Sequence, residues 1–473
     1  MKLANVQKQS IQKDSIIGGK QKSYGEVVEY LDSHWHTNEK EKSLLIAKQL
    51  DKAFDNISQK VPTVLISGTN GKSLTTYFTS RLLQNEGLTV GIFYAPHILT
   101  YNERFSLQGD LISNKVFTDI ANEVINMVDN INIEADTAAI LMIMGLIYFK
   151  NASIDVALVE VAEGGASSVM SICSPKILAV TRVSDPDIQQ DTAETKTLIQ
   201  DIVGLIKTGT FVVSADQNKS NLHLMQEYTK NNKGSWVMPI RKLASLPYLF
   251  QQIHGRCASL AERIASIYVN EFQAQDAVES ILTKQKGQRG RPTLEAKRMS
   301  ELNPKKTLDQ FWKEVQNDLP GRFQLFDKEK PSVLLDNASN IDALKNILLG
   351  VRLLHYQRPL KGLAIVLGFN TSAHLDIDEL LRLLRYFFKK TSGQVVICPV
   401  QSLPGHTQDL SFDYEKLTND IKSMKIKARS AKNFKEAFDM AQASVDERNG
   451  LVLLTGSTSI IAEYWKYRGI KKI

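Results

Sequence analysis

The residues best suited to chemistry stand together at 68–73, Gly-Thr-Asn-Gly-Lys-Ser. Two glycines let a turn aim several main-chain N–H groups at one anion. Lys72 adds a compact positive charge, and Ser73 a hydroxyl suited to Mg²⁺. Gly68, Thr69, Asn70, Gly71, Lys72 and Ser73 are therefore the candidate nucleotide-phosphate residues. The preceding stretch, Val61 to Ile66, is short, β-branched and apolar, as a fully buried strand is. A helix pattern follows, and its N-terminal dipole adds to the field on a phosphate. The loop lacks the first glycine of the longer Gly-x-x-x-x-Gly-Lys-Ser form; Ile66 stands near that place.

A phosphate loop needs a carboxylate for its cation. The strand pattern at 154–160, IDVALVE, ends in Glu160, with Gly164-Gly165 close behind. Open α/β sheets place their sites at the carboxyl edge of the strands, so Glu160 is the natural metal ligand there.

The elements around these residues alternate. Helices are expected at 23–31 and 39–57. Strands are expected at 61–67, 89–94, 154–160, 177–182 and 210–214, with helices at 72–86, 114–129, 136–150, 192–206 and 256–270. Ser113 is placed to cap the second of these. This spacing predicts a mostly parallel sheet covered on both faces. Residues 284–320 break the pattern with Gly287, Gly290, Pro292, Pro304 and Pro320, leaving one helix expected at 307–317. A second alternation follows, with strands at 332–336, 362–368, 394–398 and 450–455 and helices at 340–354, 376–389, 434–446 and 458–467. The expected architecture is α/β: a larger N-terminal P-loop domain and a smaller, Rossmann-like C-terminal domain. The boundaries are a helical segment at 1–60, a nucleotide domain at 61–290, a linker at 291–319 and a second domain at 320–473.

Composition narrows the function class. The 473 residues are 43% hydrophobic and 23% charged, as in globular chains, and two or three domains are expected. No apolar run reaches membrane-spanning length, and the polar N-terminus does not read as a secretory signal. Three scattered cysteines point to a reducing compartment without disulfides, and the expected location is cytoplasmic. The net charge is +7, spread without an aromatic-interleaved basic face, so nucleic acid is not an expected partner. A basic surface favours an anionic small substrate.

Eight segments in order resemble the folylpolyglutamate synthase and dihydrofolate synthase family of the Mur ligase group: GTNGKS at 68–73, YAPHILTYNERF at 94–105, the Gly109 to Ser113 turn, VEVAEGG at 159–165, GLIKTG at 204–209, PGRF at 320–323, LLDNASN at 334–340 and LLTGSTSI at 453–460. The resemblance implies an ATP- and Mg²⁺-dependent condensation. A substrate carboxylate becomes an acyl phosphate, and an amine, glutamate in the folate enzymes, displaces the phosphate. Carried over, Lys72 clamps the β- and γ-phosphates, Ser73 holds the first Mg²⁺ and Glu160 the second. Arg322 reaches the phosphates from the second domain, Asp336 binds the ribose beside Asn340, and His97 lines the substrate side. A folate- or pteroate-like carboxylate and an amino acid are the implied substrates; the oligomeric state stays open.

The departures from the family pattern cluster at the chemistry. Its Asp-His stands here as Asp185-Pro186, its metal-bridging lysine as Ile202, and a metal-binding serine as Ala95. The segment that approaches adenine has Cys257 and Ala261, and a further histidine is Ser339. FNTSAH at 369–374 lacks the family's Asp-Lys-Asp. Asp185 is the leading substitute metal ligand, with Asp187 and Asp191 beside it; Asp201 faces another side of its helix from Ile202. A nucleotide-binding relative with little ligase activity is thus the alternative. A GTPase reading is poor, because Asn218-Lys219-Ser220-Asn221 lacks the closing Asp and lies outside the expected strand-end context. A plain kinase leaves the second domain without a role.

Overall fold

The computed structural model describes residues 21–35, 39–162, 164–184, 193–273, 319–369, 375–404 and 413–471. Helices α1 (Tyr24–Ser33) and α2 (Lys40–Ala53) come first. Then follow β1 (Thr63–Ser67), α3 (Lys72–Asn85), β2 (Val90–Phe93), β3 (Phe105–Leu107), β4 (Asp110–Leu111), α4 (Asn114–Asn130), α5 (Thr137–Asn151) and β5 (Val156–Glu160). The first domain continues with β6 (Ile177–Val180), α6 (Ala193–Val203), β7 (Phe211–Ser214), α7 (Lys219–Asn231), β8 (Ser235–Trp236) and α8 (Tyr248–Phe272). The second holds β9 (Gln324–Phe326), β10 (Ser332–Leu335), α9 (Ile341–Gln357), β11 (Leu363–Leu367), α10 (Ile377–Phe388), β12 (Gln394–Ile397), α11 (Tyr414–Ser423), β13 (Lys427–Ser430), α12 (Phe434–Ala443), β14 (Leu451–Thr455) and α13 (Thr458–Tyr467).

Two sheets result. The larger runs β4-β3-β2-β5-β1-β6-β7-β8, parallel except at its β3 and β4 edge. The smaller runs β13-β12-β11-β14-β10-β9, parallel except for β9. β1 lies between β5 and β6, and every one of its residues is buried. A strand covered on both faces must be apolar throughout, which is why TVLIS carries no alternation. The register pairs Ile66 with Glu160, so the end of β5 adjoins the phosphate loop directly.

Local chemistry sets the helix starts. Ser23 and Glu26 form a reciprocal capping box on α1. Ser113 accepts from the Val116 amide, as its position predicts. Asp136 caps α5 through the Ala139 amide and also accepts from Ser43 Oγ on α2. Val27, Leu31, Ile46 and Leu50 enter the same core as the α4 and α5 side chains. Where described, the helices of the 1–60 segment therefore pack into the core of the first domain.

Other expectations need adjustment. The 256–270 helix begins earlier, at Tyr248, because Pro247 stands at a position where a missing N–H costs nothing. The elements β3, β4, α7, β8, β9, α11 and β13 carried no expectation. β8 has two residues, and β13 (KARS) is a largely exposed edge strand with no apolar pattern. The linker helix at 307–317 lies outside the described residues, as do Asp185, Asp187 and Asp191. No described helix is long and apolar enough to cross a membrane.

The domains share contacts. Leu249 and Ile253 of α8 join the core of the second domain, and Ile98 packs with Val333 and Leu335. Phe250 meets Phe323 edge-on at 5.9 Å. If α1 belongs to the first core, Leu31→Ala lowers unfolding free energy by about 2–5 kcal/mol in urea titration. A change below about 0.5 kcal/mol would show α1 to be loosely appended.

Candidate functional site

The phosphate loop leaves β1 at Ser67 and enters α3 at Lys72. Two glycines make its path obligatory. Gly68 has φ of +120°, and a Cβ there would sit 2.3 Å from Thr181 Oγ1. Gly71 has φ of +90°, and a Cβ would sit 2.6 Å from Cys257 Sγ. The loop is latched to the chain after β6: the Thr69 amide donates to Arg182 O (2.7 Å), Thr69 Oγ1 donates to Ser184 O (3.0 Å) and accepts from the Ser184 amide (3.1 Å). Lys72 Nζ donates to Gly68 O at 2.7 Å and Thr69 O at 3.4 Å, so its ammonium lies folded over the loop.

Ser73 joins the two domains. Its Oγ donates to Glu160 Oε2 (3.2 Å) and accepts from Arg322 Nη2 (3.0 Å). Glu160 has no exposed surface, and its Oε1 is buried without a well-formed hydrogen bond among the described residues. Burial pushes its carboxyl above the usual range, while Arg322, Lys72, the Ala95 amide and Ser73 favour the ionised form. Burial likewise lowers the Arg322 guanidinium, and Glu160 and Asp336 oppose that. Lys72, Ser73, Glu160 and Arg322, named from sequence as phosphate or metal residues, thus converge on one place.

The other candidates take different positions. Asn70 Nδ2 donates to Asn340 Oδ1 (3.1 Å), and Asn340 Nδ2 returns a bond to Asn70 Oδ1 (2.9 Å). Asn70 also donates to Asp342 Oδ2 at 3.0 Å, and Asn340 caps α9. The two asparagines hold each other across the domain interface. Asp336, expected at the ribose, has a carboxylate that accepts from the Phe323 amide (2.9 Å) and the Ala338 amide (3.0 Å). It shapes the turn that presents Arg322. Its burial pushes the carboxyl up to about 6. His97 was expected among the catalytic residues. It is buried, its Nδ1 accepts from Arg104 Nε (2.9 Å), and its ring lies 4.4 Å from Tyr101. Those contacts commit it to the domain interior. Asp185 is outside the described residues.

The departures have structural counterparts. Ile202 is 1% exposed in the first core. Asp201 is turned from it, accepting from Ser167 N (2.9 Å) and Ser167 Oγ (3.0 Å). Ala261 is buried against α3, and Ser339 is exposed. Arg182 and Asp342, which form an ion pair at 2.9 Å beside Asn70, carried no expectation. Position at the carboxyl end of β6 and in the first turn of α9 were the available signals.

The class defined by this geometry is a two-domain α/β protein with a phosphate loop, a buried carboxylate and an arginine meeting at the interface. No protein-family model matches the chain. In sequence it is similar to dihydrofolate synthase/folylpolyglutamate synthase of Bacillus subtilis, 24% identical over 314 residues, which is 63% of this chain and 70% of that one. It is 25% identical over 341 residues to bovine mitochondrial folylpolyglutamate synthase, spanning 68% of this chain and just over half (56%) of that one. Among solved structures, Mycobacterium tuberculosis folylpolyglutamate synthase complexed with ADP shares the fold with a TM-score of 0.70 at 19% identity, covering 94% and 98% of the two chains. The bifunctional folylpolyglutamate synthase/dihydrofolate synthase of Yersinia pestis, complexed with AMPPNP and Mn ion, does so with a TM-score of 0.68 at 18% identity, covering 95% and 98%.

Asp336 gives a test of the turn. The folded chain holds its proton up to about pH 6, whereas the unfolded chain releases it near 3.8. Between those values the native state binds more protons, so this residue makes stability fall as pH rises, with no further change above about pH 6. Urea midpoints compared between wild type and Asp336→Asn should lose part of that decline in the variant. Parallel pH profiles would show that Asp336 does not titrate this way.

Proposed function

We propose that the chain is an ATP-dependent ligase that joins a carboxylate substrate to an amine through an acyl phosphate. The substrates proposed are a folate- or pteroate-like acid and an amino acid such as glutamate. The observation that carries this is the meeting of Lys72, Ser73, Glu160 and Arg322 at the domain interface. Support also comes from the relatives, whose solved forms carry ADP, AMPPNP with Mn, and L-glutamate.

The residues present fit a magnesium ion. The buried Oε1 of Glu160, which has no well-formed hydrogen bond among the described residues, and the Ser73 hydroxyl are hard oxygen donors. No group of three or more His, Cys, Asp or Glu among the described residues forms a closed cage. That suits a cation that keeps waters and shares phosphate oxygens. Such a cation, when bound, neutralises charge on the transferring phosphoryl group. The loop amides and the α3 dipole hold the phosphates. Lys72, released from the Gly68 and Thr69 carbonyls, places its ammonium on them. Arg322 brings a second cation from the other domain. Positioning and charge neutralisation are the main catalytic resources for such a transfer.

A second reading rests on Ile202. The resemblance places a metal-bridging lysine there, and the structure has a core side chain. In that reading the chain binds nucleotide and has lost the ligase step.

The test is glutamate-dependent phosphate release with ATP, Mg²⁺ and a pteroate or folate acceptor. Lys72→Ala should reduce the rate by about a hundredfold or more, the scale of removing one transition-state charge partner. ATP binding without phosphate release, across acceptors, selects the second reading. Absence of ATP binding overturns both.

A further inference from the structure

The side chain of Asn70 leaves the phosphate loop for the second domain. Its Nδ2 donates to Asp342 Oδ2 (3.0 Å) and Asn340 Oδ1 (3.1 Å), and its Oδ1 accepts from Asn340 Nδ2 (2.9 Å). The other oxygen of Asp342, Oδ1, meets Arg182 Nη2 at 2.9 Å. Arg182 returns to the loop through its main chain, which bridges to Asn70 and accepts from the Thr69 amide (2.7 Å). These contacts close a ring: loop, chain after β6, guanidinium, carboxylate, loop. Asp342 is the member from the second domain, and it places one oxygen on each side of the ring.

The carboxylate is a fixed point. It stands in the first turn of α9, where the helix dipole favours negative charge. Its side chain is 19% exposed against 55% for Arg182. An ion pair with so open an arginine contributes little to stability by itself; its effect is geometric. Glycines such as Gly68 and Gly71 lose more freedom on ordering than other residues. A site whose donors are ordered beforehand does not lose that freedom when the ligand arrives. The ring orders Thr69 and Asn70 beforehand and ties their place to that of the second domain.

We propose that Asp342 is a positioning residue for the phosphate loop: through Asn70 and Arg182 it holds the loop in the shape that takes a nucleotide's phosphates, and so makes that affinity depend on the second domain. This role rests on 68–73 being a nucleotide site. It also carries a sign. If Asp342 merely neutralised Arg182, removing it would free a cation beside the phosphates and tighten binding. In the positioning role, removing it loosens the loop and weakens binding.

ATP with Mg²⁺, titrated by calorimetry into the full chain, reads that sign. Asp342→Ala should weaken binding about tenfold. Asp342→Asn keeps one acceptor oxygen and should weaken it less. Arg182→Gln should add little to the loss in Asp342→Ala, because both act on one ring. Hydrogen exchange of the amides at 68–73 should quicken in Asp342→Ala while that of β5 and β14 stays as in wild type. A thermal melt monitors folding; if Asp342→Ala does not fold, Asp342→Asn carries the same test. Binding as tight as wild type or tighter in the Asp342 variants overturns the proposal and leaves the nucleotide site standing, as does exchange quickened equally throughout the chain. Wild type that binds no ATP overturns the nucleotide site and this proposal with it.

Discussion

A carboxylate with no exposed surface sits at the end of β5, and a balancing charge stands on the other domain. Glu160 lies beside Ile66 in the sheet register, with Ser73 Oγ between it and Arg322. A buried carboxylate is costly unless opposite charge and hydrogen bonds compensate it. Lys72 contributes from the loop and Arg322 from across the interface. The charge at Glu160 therefore couples the two lobes electrostatically.

The remaining interface contacts follow this arrangement. Asp336 holds the turn that aims Arg322, through two main-chain amides. The Asn70 and Asn340 amides bond reciprocally, and Arg182 fastens Asp342 alongside. The loop is thus braced from two directions, by the chain after β6 and by the start of α9. Packing of Ile253 and Ile98 into the second domain supplies the apolar part of the same contact.

Much of this was legible in the residues. β1 and β5 are buried on both faces, so their apolar runs stood out, and the alternation with amphipathic helices gave both domains. Lys72, Ser73 and Glu160 were visible because their types and spacing relate to strand ends. Arg322 was identified only through resemblance, since nothing local to PGRF states that it reaches Ser73, 249 residues earlier. The partners of Asn70 were hidden for the same reason: pairing across 270 residues leaves no periodic trace. The contacts of His97 and Asp336 were not legible, because a polar residue in a motif does not reveal which side chain or main-chain amide it meets. Short edge strands such as β13 lack the buried face that makes a strand readable.

The central claim is that Glu160 and Arg322 stabilise each other across the interface. A double-mutant cycle with Glu160→Gln and Arg322→Met, read by urea unfolding, tests it directly. The account predicts a coupling of about 1–3 kcal/mol, with the double variant losing less than the two singles combined. Additivity within about 0.5 kcal/mol would contradict it.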